Sequence, residues 1–253
     1  MRNGFLGLAA AMAVVGWTGA AAADEPGLAN QVYAPYPRNG VTEVEVRGGR
    51  LLGGAEAGDS GAVVELERGF GDRLSLAVVG EFEDEPGARR KLDSVGLEGV
   101  AYLGQVPGAG VDVGGYLEYE QRIHNESGVV EAKLLLARRL GPVRTLVNLI
   151  AQQPLTGRDG EGAMQFGYAA QGTVDAGRGV QVGLQAFGDL GTNRAIGGSQ
   201  AHYLGPVVRW EFRPAGRKGG ELELEAAWLA ALGAARRYTD GQVRFALEWE
   251  TRF

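Results

Sequence analysis

The feature that most constrains this chain is an alternation of apolar and polar residues with a period of two, repeated along most of its length. In residues 220–232, for example, Leu222, Leu224 and Trp228 alternate with Glu221, Glu223 and other residues of the opposite face. Successive side chains of a β-strand point to opposite faces, so this spacing predicts strands with one apolar and one polar face. The same pattern predicts twelve strands, near residues 41–53, 61–69, 73–83, 94–104, 111–122, 128–140, 143–153, 163–175, 179–190, 201–212, 220–232 and 242–253.

The connections between these segments favour a membrane barrel. Glycine supplies 43 of the 253 residues without a collagen repeat, which predicts many tight turns. Short connections, such as 141–142, alternate with longer ones, such as 154–162. Bacterial outer-membrane barrels combine short periplasmic turns, longer outer loops and an even strand number. We therefore predict an all-β fold: a single closed up-and-down antiparallel transmembrane β-barrel of about twelve strands, with ten and fourteen as alternatives. Pro206 predicts a bulge or kink in the tenth strand.

The alternation alone does not reveal which face lines the interior, because a soluble barrel turns its apolar face inward. The apolar face here is rich in Ala and Gly and supplies too little bulk to fill twelve strands, whereas it can face lipid. We therefore expect the charged face inside, with a soluble exported barrel or sandwich as the alternative. Aromatic girdles are expected at the two membrane interfaces. They comprise Tyr119, Phe166 and Tyr168 on the outer side and Trp210, Phe212, Trp249 and Phe253 on the periplasmic side.

Residues 1–23 have the three parts of a secretory signal peptide: Arg2, an apolar core and a small-residue tract before Asp24. Residues 24–40 are predicted to be an extended periplasmic lead-in, and residues 41–253 to be the barrel. Without the signal, 31 acidic residues remain against 24 basic ones, since Arg2 is its one charged residue. This acidic balance argues against nucleic acid as a partner. The predicted location is the outer membrane of a Gram-negative bacterium, with membrane lipid as the surrounding partner.

Two segments resemble outer-membrane barrels directly. Residues 67–76, Glu-Arg-Gly-Phe-Gly-Asp-Arg-Leu-Ser-Leu, are similar to a strand-turn-strand segment of several poorly characterised proteobacterial barrels described loosely as transporters. Gly71 departs from that pattern, since Thr often precedes the Asp. The final segment, 243–253, alternates and ends in Phe253, and resembles the terminal strand of outer-membrane barrels as a class. This resemblance implies the barrel assembly machinery as a partner; neither segment implies a substrate.

The polar face carries rows of carboxylates at steps of about 6.8 Å, which is two strand rises. In a narrow channel, such an acidic wall favours cations and disfavours anions. The alternative is a hydrated or salt-bridged filling, because basic residues project to the same side. The residues predicted to line the lumen are Glu43, Glu45, Arg47, Glu65, Glu118, Glu120, Lys133, Arg209, Glu221, Glu223, Glu225, Arg244 and Glu248.

Three functions remain open from the sequence. The first is passive passage of small cationic or neutral solutes through an outer-membrane channel. The second is a filled barrel that acts as a surface anchor or binding protein, with the basic loop Arg89-Arg90-Lys91 as one contact. The third is a surface hydrolase using His124 or His202, for which Asp240, Ser127 and Ser199 are conceivable partners without a spacing that links them. We expect the protein not to be an enzyme.

No cofactor or metal site is predicted. With two histidines, no cysteine and, outside the signal, only Met164 as a thioether, the chain lacks ligands for soft transition metals. Clustered carboxylates are compatible with a hard cation but do not specify one. The substrate, the oligomeric state and the openness of the lumen do not follow from the sequence.

Overall fold

The structure is a computed structural model that describes residues 28–84, 91–123, 128–155, 162–197, 200–213 and 220–252. The predicted signal peptide and Phe253 lie outside these ranges. None of the helical segments in them is long and apolar enough to cross a membrane. The strands are β1 (Val41–Leu52), β2 (Ser60–Phe70), β3 (Leu74–Asp84), β4 (Lys91–Val106), β5 (Val111–Arg122), β6 (Gly128–Leu140), β7 (Val143–Pro154), β8 (Gln165–Gly177), β9 (Val180–Thr192), β10 (Ala195–Ile196), β11 (Ala201–Phe212), β12 (Gly220–Gly233) and β13 (Gly241–Arg252).

Twelve long antiparallel strands close into one barrel. Each pairs with the next long strand along the chain, and β13 pairs with β1 across twelve residue pairs, so the sheet has no free long edge. The two-residue β10 extends only the end of β9. A single 3-10 turn, Ala234–Arg237, lies in the connection from β12 to β13. The prediction of a closed twelve-stranded up-and-down barrel is confirmed.

The predicted strand boundaries agree well where the alternation is unbroken. Strands β5, β6 and β11 begin and end at the predicted residues. Strand β4 is longer than predicted at both ends, and a register shift lies near each end, opposite Glu81 and Phe82 and between Tyr102 and Gly104. Of the bulge or kink expected at Pro206, the bulge is absent, since β11 keeps one register along β9 and shows no shift against β12. Gly205 and Pro206 have no paired residues on β12, because proline has no backbone N–H to donate to the ladder.

The barrel is apolar outside and charged inside. Leu97 and Leu117 are 63% and 60% exposed on the outer face, whereas the inner residues Glu45 and Glu98 are 1% and 3% exposed. Directly paired residues of antiparallel strands share a face, and Glu45 lies opposite both Glu65 and Glu248, so the carboxylates gather in the lumen. An exterior of this composition suits hydrocarbon. The alternative of a soluble barrel with an apolar core is thereby excluded.

The lumen is divided into an apolar and a polar part. The apolar part is a cluster contributed mainly by β8, β9, β11 and β12, and it contains Phe187, Tyr203 and Leu229. The polar part faces β1 to β6 and contains most of the buried charges. Residues 28–40 precede β1 and run between the two parts, with Val32 in the apolar cluster and Tyr33 against the polar wall. The segment therefore occupies part of the lumen.

Candidate functional site

All of the residues predicted to line the lumen lie on the inner face. The strand register pairs each of them with inward neighbours, as Glu223 with Glu248 and Glu225 with Arg209. The set comprises Glu43, Glu45, Arg47, Glu65, Glu118, Glu120, Lys133, Arg209, Glu221, Glu223, Glu225, Arg244 and Glu248. The structure brings them together into one enclosed surface, which is the candidate functional site.

The segment 28–40, here called the N-terminal segment, lies against inward glycines of the barrel wall. A Cβ added to Gly49 would lie 2.2 Å from the carbonyl oxygen of Leu28, and one added to Gly114 would lie 2.6 Å from Cβ of Pro35. Real Cβ atoms do not approach other heavy atoms so closely. The glycines thus leave room on the wall for the N-terminal segment, as glycine within a strand often does where another backbone approaches closely.

Tyr33 anchors this segment in the middle of the lumen. Its backbone N–H donates to Oδ1 of Asn148 at 2.7 Å, and Nδ2 of Asn148 donates to its carbonyl at 2.9 Å. Its hydroxyl donates to Oε2 of Glu98 at 3.2 Å and accepts from Nη2 of Arg47 at 3.2 Å. These groups are buried, where unpaired polar atoms are costly, so each contact holds the segment in place.

A lysine ammonium group lies between two tyrosine rings beside this anchor. Nζ of Lys133 is 4.4 Å from the ring centre of Tyr33 and 4.1 Å from that of Tyr116. It also forms an ion pair of 2.8 Å with Glu131. Ring faces and a carboxylate are both favourable neighbours for a cation, so the site neutralises this buried lysine and ties the N-terminal segment to β5 and β6.

The N-terminal segment leaves the lumen at the periplasmic end, where it makes two further polar contacts. The hydroxyl of Tyr36 donates to Asp112 at 2.9 Å. Burial, followed by this hydrogen bond, raises the pKa of Tyr36 to about 12, so the hydroxyl remains a donor at neutral pH. Arg38 forms an ion pair with Glu250 and lies 3.7 Å from an oxygen of Glu248. The segment is therefore fixed at both its middle and its end.

On the other side of the lumen, Arg209 neutralises part of the acidic row of β12. It forms an ion pair with Glu223 and lies 3.3 Å from Glu225. Gln171 and Gln185 donate to the two oxygens of Glu225 at 3.0 and 2.9 Å. This part of the wall is a connected polar network, which matches the salt-bridged filling left open by the sequence.

A cavity of about 370 Å³ lies in the outer half of the lumen, beside the N-terminal segment. Three basic residues face it, and each is already paired: Arg47 with Glu65 at 2.5 Å, Lys133 with Glu131 at 2.8 Å, and Arg122 with Glu120 at 3.5 Å. The acidic residues that face it are six, namely Asp59, Glu81, Glu118, Glu120, Glu131 and Asp189. The cavity thus combines an excess of carboxylates with bases that have partners.

Two groups of three carboxylates converge closely enough to hold a metal ion. In one group, Glu43, Glu45 and Glu248, and in the other, Glu65, Glu67 and Glu98, one oxygen from each residue lies within 4.8 Å of the others. Both groups lie on the inner face of the barrel.

The predicted girdle residues lie on the outer face. Tyr119, Trp210, Phe212 and Trp249 are 43–49% exposed, and the rings of Trp210 and Phe212 are 5.7 Å apart. Phe166 and Tyr168 are half-buried on β8 near its outer end. Phe253 lies outside the described residues and stays a prediction. The arrangement fits the aromatic belts of membrane barrels.

The histidines do not form a site with catalytic partners among the described residues. His202 lies on the outer face of β11, and its Nδ1 is 3.3 Å from the hydroxyl of Tyr168. The residues His124, Ser127, Ser199, Arg89 and Arg90 lie outside the described ranges. Nothing in the structure therefore adds to the hydrolase alternative.

The described part of the lead-in does not follow the predicted path. Residues 24–40 were expected to be an extended segment in the periplasm, but residues 28–35 lie inside the barrel. Pro35 and Pro37 lack the backbone N–H that regular strand pairing needs. For that reason the sequence predicts an extended segment here. Its location depends instead on contacts with Asn148, Glu98 and Gly114, which sequence reasoning missed. The sequence indicates these three residues only by placing them at inward positions of predicted strands.

Comparison with solved structures supports this architecture. The fold is similar to the NanC porin (TM-score 0.55, 8% identity, 83% of this chain and all of that one) and to the outer membrane channel COG4313 from Pseudomonas putida F1 (0.54, 12%, 85% and 96%). It is also similar to the KdgM porin in complex with disordered oligogalacturonate (0.51, 10%, 83% and 99%). No family model matches the chain, and no curated protein matches it.

Fold and lumen together define the class. The chain is a transmembrane β-barrel of the outer-membrane type, with the architecture of porins and channels of Gram-negative bacteria. Its exterior is apolar, its interior is charged, and its N-terminal segment narrows the lumen.

Proposed function

We propose that this barrel is a narrow channel for passive passage of small solutes, with cationic and neutral solutes preferred over anions. The observation that carries the proposal is the cavity beside the N-terminal segment, which six acidic and three basic residues face. Because each base has a carboxylate partner, the unbalanced charge in the passage is negative. A confined acidic passage between low-dielectric walls attracts cations and repels anions.

The dimensions of the lumen support small solutes. Twelve strands enclose less space than the 16 to 18 strands of porins with wide aqueous channels. Here the apolar cluster and the N-terminal segment occupy much of that space. Solved structures of the same architecture are described as porins or as an outer membrane channel, which supports the general class but not a substrate.

The proposal includes no enzymatic step. His202 contacts Tyr168 on the outer face, away from the lumen. We further propose that the signal peptide predicted in residues 1–23 directs export and that the terminal strand β13 is recognised by the barrel assembly machinery. Both follow from the sequence pattern.

One observation favours a second function, a barrel that is closed and acts as an anchor for its outer loops. Tyr33 is held by four hydrogen bonds from three buried residues, and Val32 packs in the apolar cluster. A barrel whose lumen is filled in this way acts as a channel only if solutes pass through the cavity beside the N-terminal segment. A conductance measurement separates the two functions.

The decisive experiment is single-channel recording of the folded barrel in planar bilayers under a KCl gradient. The channel proposal predicts discrete conductance steps and a reversal potential of the sign that marks cation preference. A double variant, Glu118→Gln with Glu120→Gln, removes two charges from the cavity and is expected to reduce that preference. The matched control, Glu56→Gln with Asp72→Asn, removes two charges from connecting segments outside the cavity and is expected to leave it unchanged. A correctly folded barrel without conductance would favour the anchor.

A further inference from the structure

Three carboxylates from two strands meet in the middle of the polar part of the lumen. Glu65 and Glu67 project inward from β2, and Glu98 projects inward from β4 across the intervening strand β3. One oxygen from each lies within 4.8 Å of the other two. A point therefore exists within about 2.8 Å of all three oxygens, which is close to the 2.3–2.6 Å of calcium–oxygen bonds.

One of these carboxylates has a free buried oxygen. Glu98 is 3% exposed, and its Oε2 accepts hydrogen bonds from the hydroxyls of Tyr116 at 2.9 Å and Tyr33 at 3.2 Å. Its Oε1 is buried and has no hydrogen-bond partner. Leaving a carboxylate oxygen both buried and unpaired is costly, so this atom is available to a ligand. The two tyrosines hold the carboxylate in a fixed orientation.

The charges around this group of carboxylates also favour a bound cation. Arg47 contacts this group, with its Nη1 2.5 Å from Glu65 and 3.5 Å from Glu45. The neighbouring Glu67 accepts a neutral hydrogen bond from Ser75 at 3.0 Å. Arg47 thus pairs with Glu65 and Glu45, whereas Glu67 and Glu98 form no ion pair within 4.0 Å among the described residues.

We propose that Glu65, Glu67 and Glu98 bind a hard divalent cation of the calcium type inside the barrel. Carboxylate oxygens are the ligands that such cations prefer, and water from the lumen completes the six to eight positions. The second group, Glu43, Glu45 and Glu248, is less suited, because each member already has a base within 4.0 Å: Arg38 for Glu43 and Glu248, and Arg47 for Glu45. In the first group, Arg47 pairs with one member, Glu65. The site goes beyond the proposed channel and does not depend on conduction.

Binding also has a structural consequence. Because Glu98 accepts from the hydroxyl of Tyr33, a cation on its other oxygen links the wall to the N-terminal segment. A ligand that binds only the folded state stabilises it in proportion to the logarithm of its concentration over Kd. Calcium is therefore expected to raise the unfolding temperature of the folded barrel.

The test uses terbium luminescence in the full-length folded barrel, with Tyr33 and Tyr116 as the excited donors next to the site. The expected result is saturable luminescence of one ion per chain that calcium displaces. Glu98→Gln keeps an oxygen for the two tyrosine hydroxyls but loses the charge, and it is expected to weaken binding by about tenfold or more. Glu211→Gln is the matched control, since Glu211 faces the lumen from β11 and accepts a hydrogen bond from Gln181 at 2.9 Å but lies outside the group.

Fold is checked by the shift in gel mobility between unheated and heated samples. If Glu98→Gln does not fold, the less buried Glu67→Gln takes its place with the same expected loss. Wild-type protein that binds neither terbium nor calcium saturably would overturn the site. So would equal weakening by Glu98→Gln and Glu211→Gln, which would indicate a diffuse response to lumen charge. Neither result bears on conductance, so the channel proposal is tested separately.

Discussion

Asn148 forms two hydrogen bonds with the backbone of Tyr33, a residue 115 positions away, by accepting from its N–H and donating to its carbonyl. Both partners are buried in the lumen. The side-chain amide of Asn148 thus pairs with the N–H and carbonyl of Tyr33, as the backbone of a neighbouring β-strand would. It fixes the N-terminal segment to β7 at the level where the apolar and polar parts meet.

Replacing Asn148 is therefore expected to release the N-terminal segment. Asn148→Leu removes both hydrogen bonds, which contribute about 1 kcal/mol each, and leaves the N–H and carbonyl of Tyr33 unpaired. We expect a lower unfolding temperature and a larger single-channel conductance. Asn148→Asp keeps an acceptor for the N–H but loses the donor, so its effects should be intermediate. Unchanged conductance in a destabilised Asn148→Leu barrel would show that the segment does not limit passage.

The positive charge of Lys133 is expected to offset part of the negative charge of the carboxylates that face the cavity. Lys133→Met removes the ammonium group from between Tyr33 and Tyr116 and leaves Glu131 without its partner. The passage becomes more negative, so the reversal potential should move further toward cation preference. Lys133→Arg keeps the charge and should behave like the wild type. A shift toward anions in Lys133→Met would contradict the proposed role of the acidic wall.

Two adjacent glycines test the fit of the N-terminal segment against the wall. Gly114 points inward, and an added Cβ would lie 2.6 Å from Pro35, whereas Gly115 points outward and meets only Leu103 at 3.8 Å. Gly114→Ala is expected to destabilise the barrel by about 1–3 kcal/mol, as overpacking does, and Gly115→Ala to have little effect. Equilibrium unfolding in urea measures both.

The same comparison can be repeated without residues 28–36. Part of the cost of Gly114→Ala should then disappear, since Pro35 is absent and only the contact with the carbonyl of Ala101 at 2.9 Å remains. An undiminished cost would mean that the barrel wall itself, rather than the segment, requires glycine there.

The apolar exterior predicts a penalty for charge that depends on depth in the bilayer. Leu117 is 60% exposed on the outer face in the middle of β5. Leu117→Arg is expected to reduce the free energy of folding into lipid vesicles by about 2–4 kcal/mol, the range for a basic residue near the midplane. Leu117→Ala, which adds no charge, should cost less. An equal cost for both substitutions would argue against contact with hydrocarbon at this position.

The strands and the inner face were predictable because the pleat of a β-strand converts a period of two directly into two faces. Glu225 and Glu248, for example, could be placed in the lumen from alternation alone. The roles of Tyr33, Asn148 and Glu98 could not, because each depends on contacts between distant parts of the chain. The path of the N-terminal segment likewise depends on inward glycines such as Gly114, and a glycine in a strand pattern does not show what it accommodates.

Adjacent positions 117 and 118 test whether the carboxylate face encloses the lumen and the apolar face meets lipid. The chain has no cysteine, so Leu117→Cys and Glu118→Cys each introduce a unique label site. In vesicles, a fluorophore at position 117 should be quenched by brominated lipid, whereas position 118 should escape quenching and react faster with a cationic than with an anionic thiol reagent. Quenching at position 118 together with reaction at position 117 would mean that the carboxylate face meets lipid and the apolar face lines the lumen, the reverse of the orientation described above.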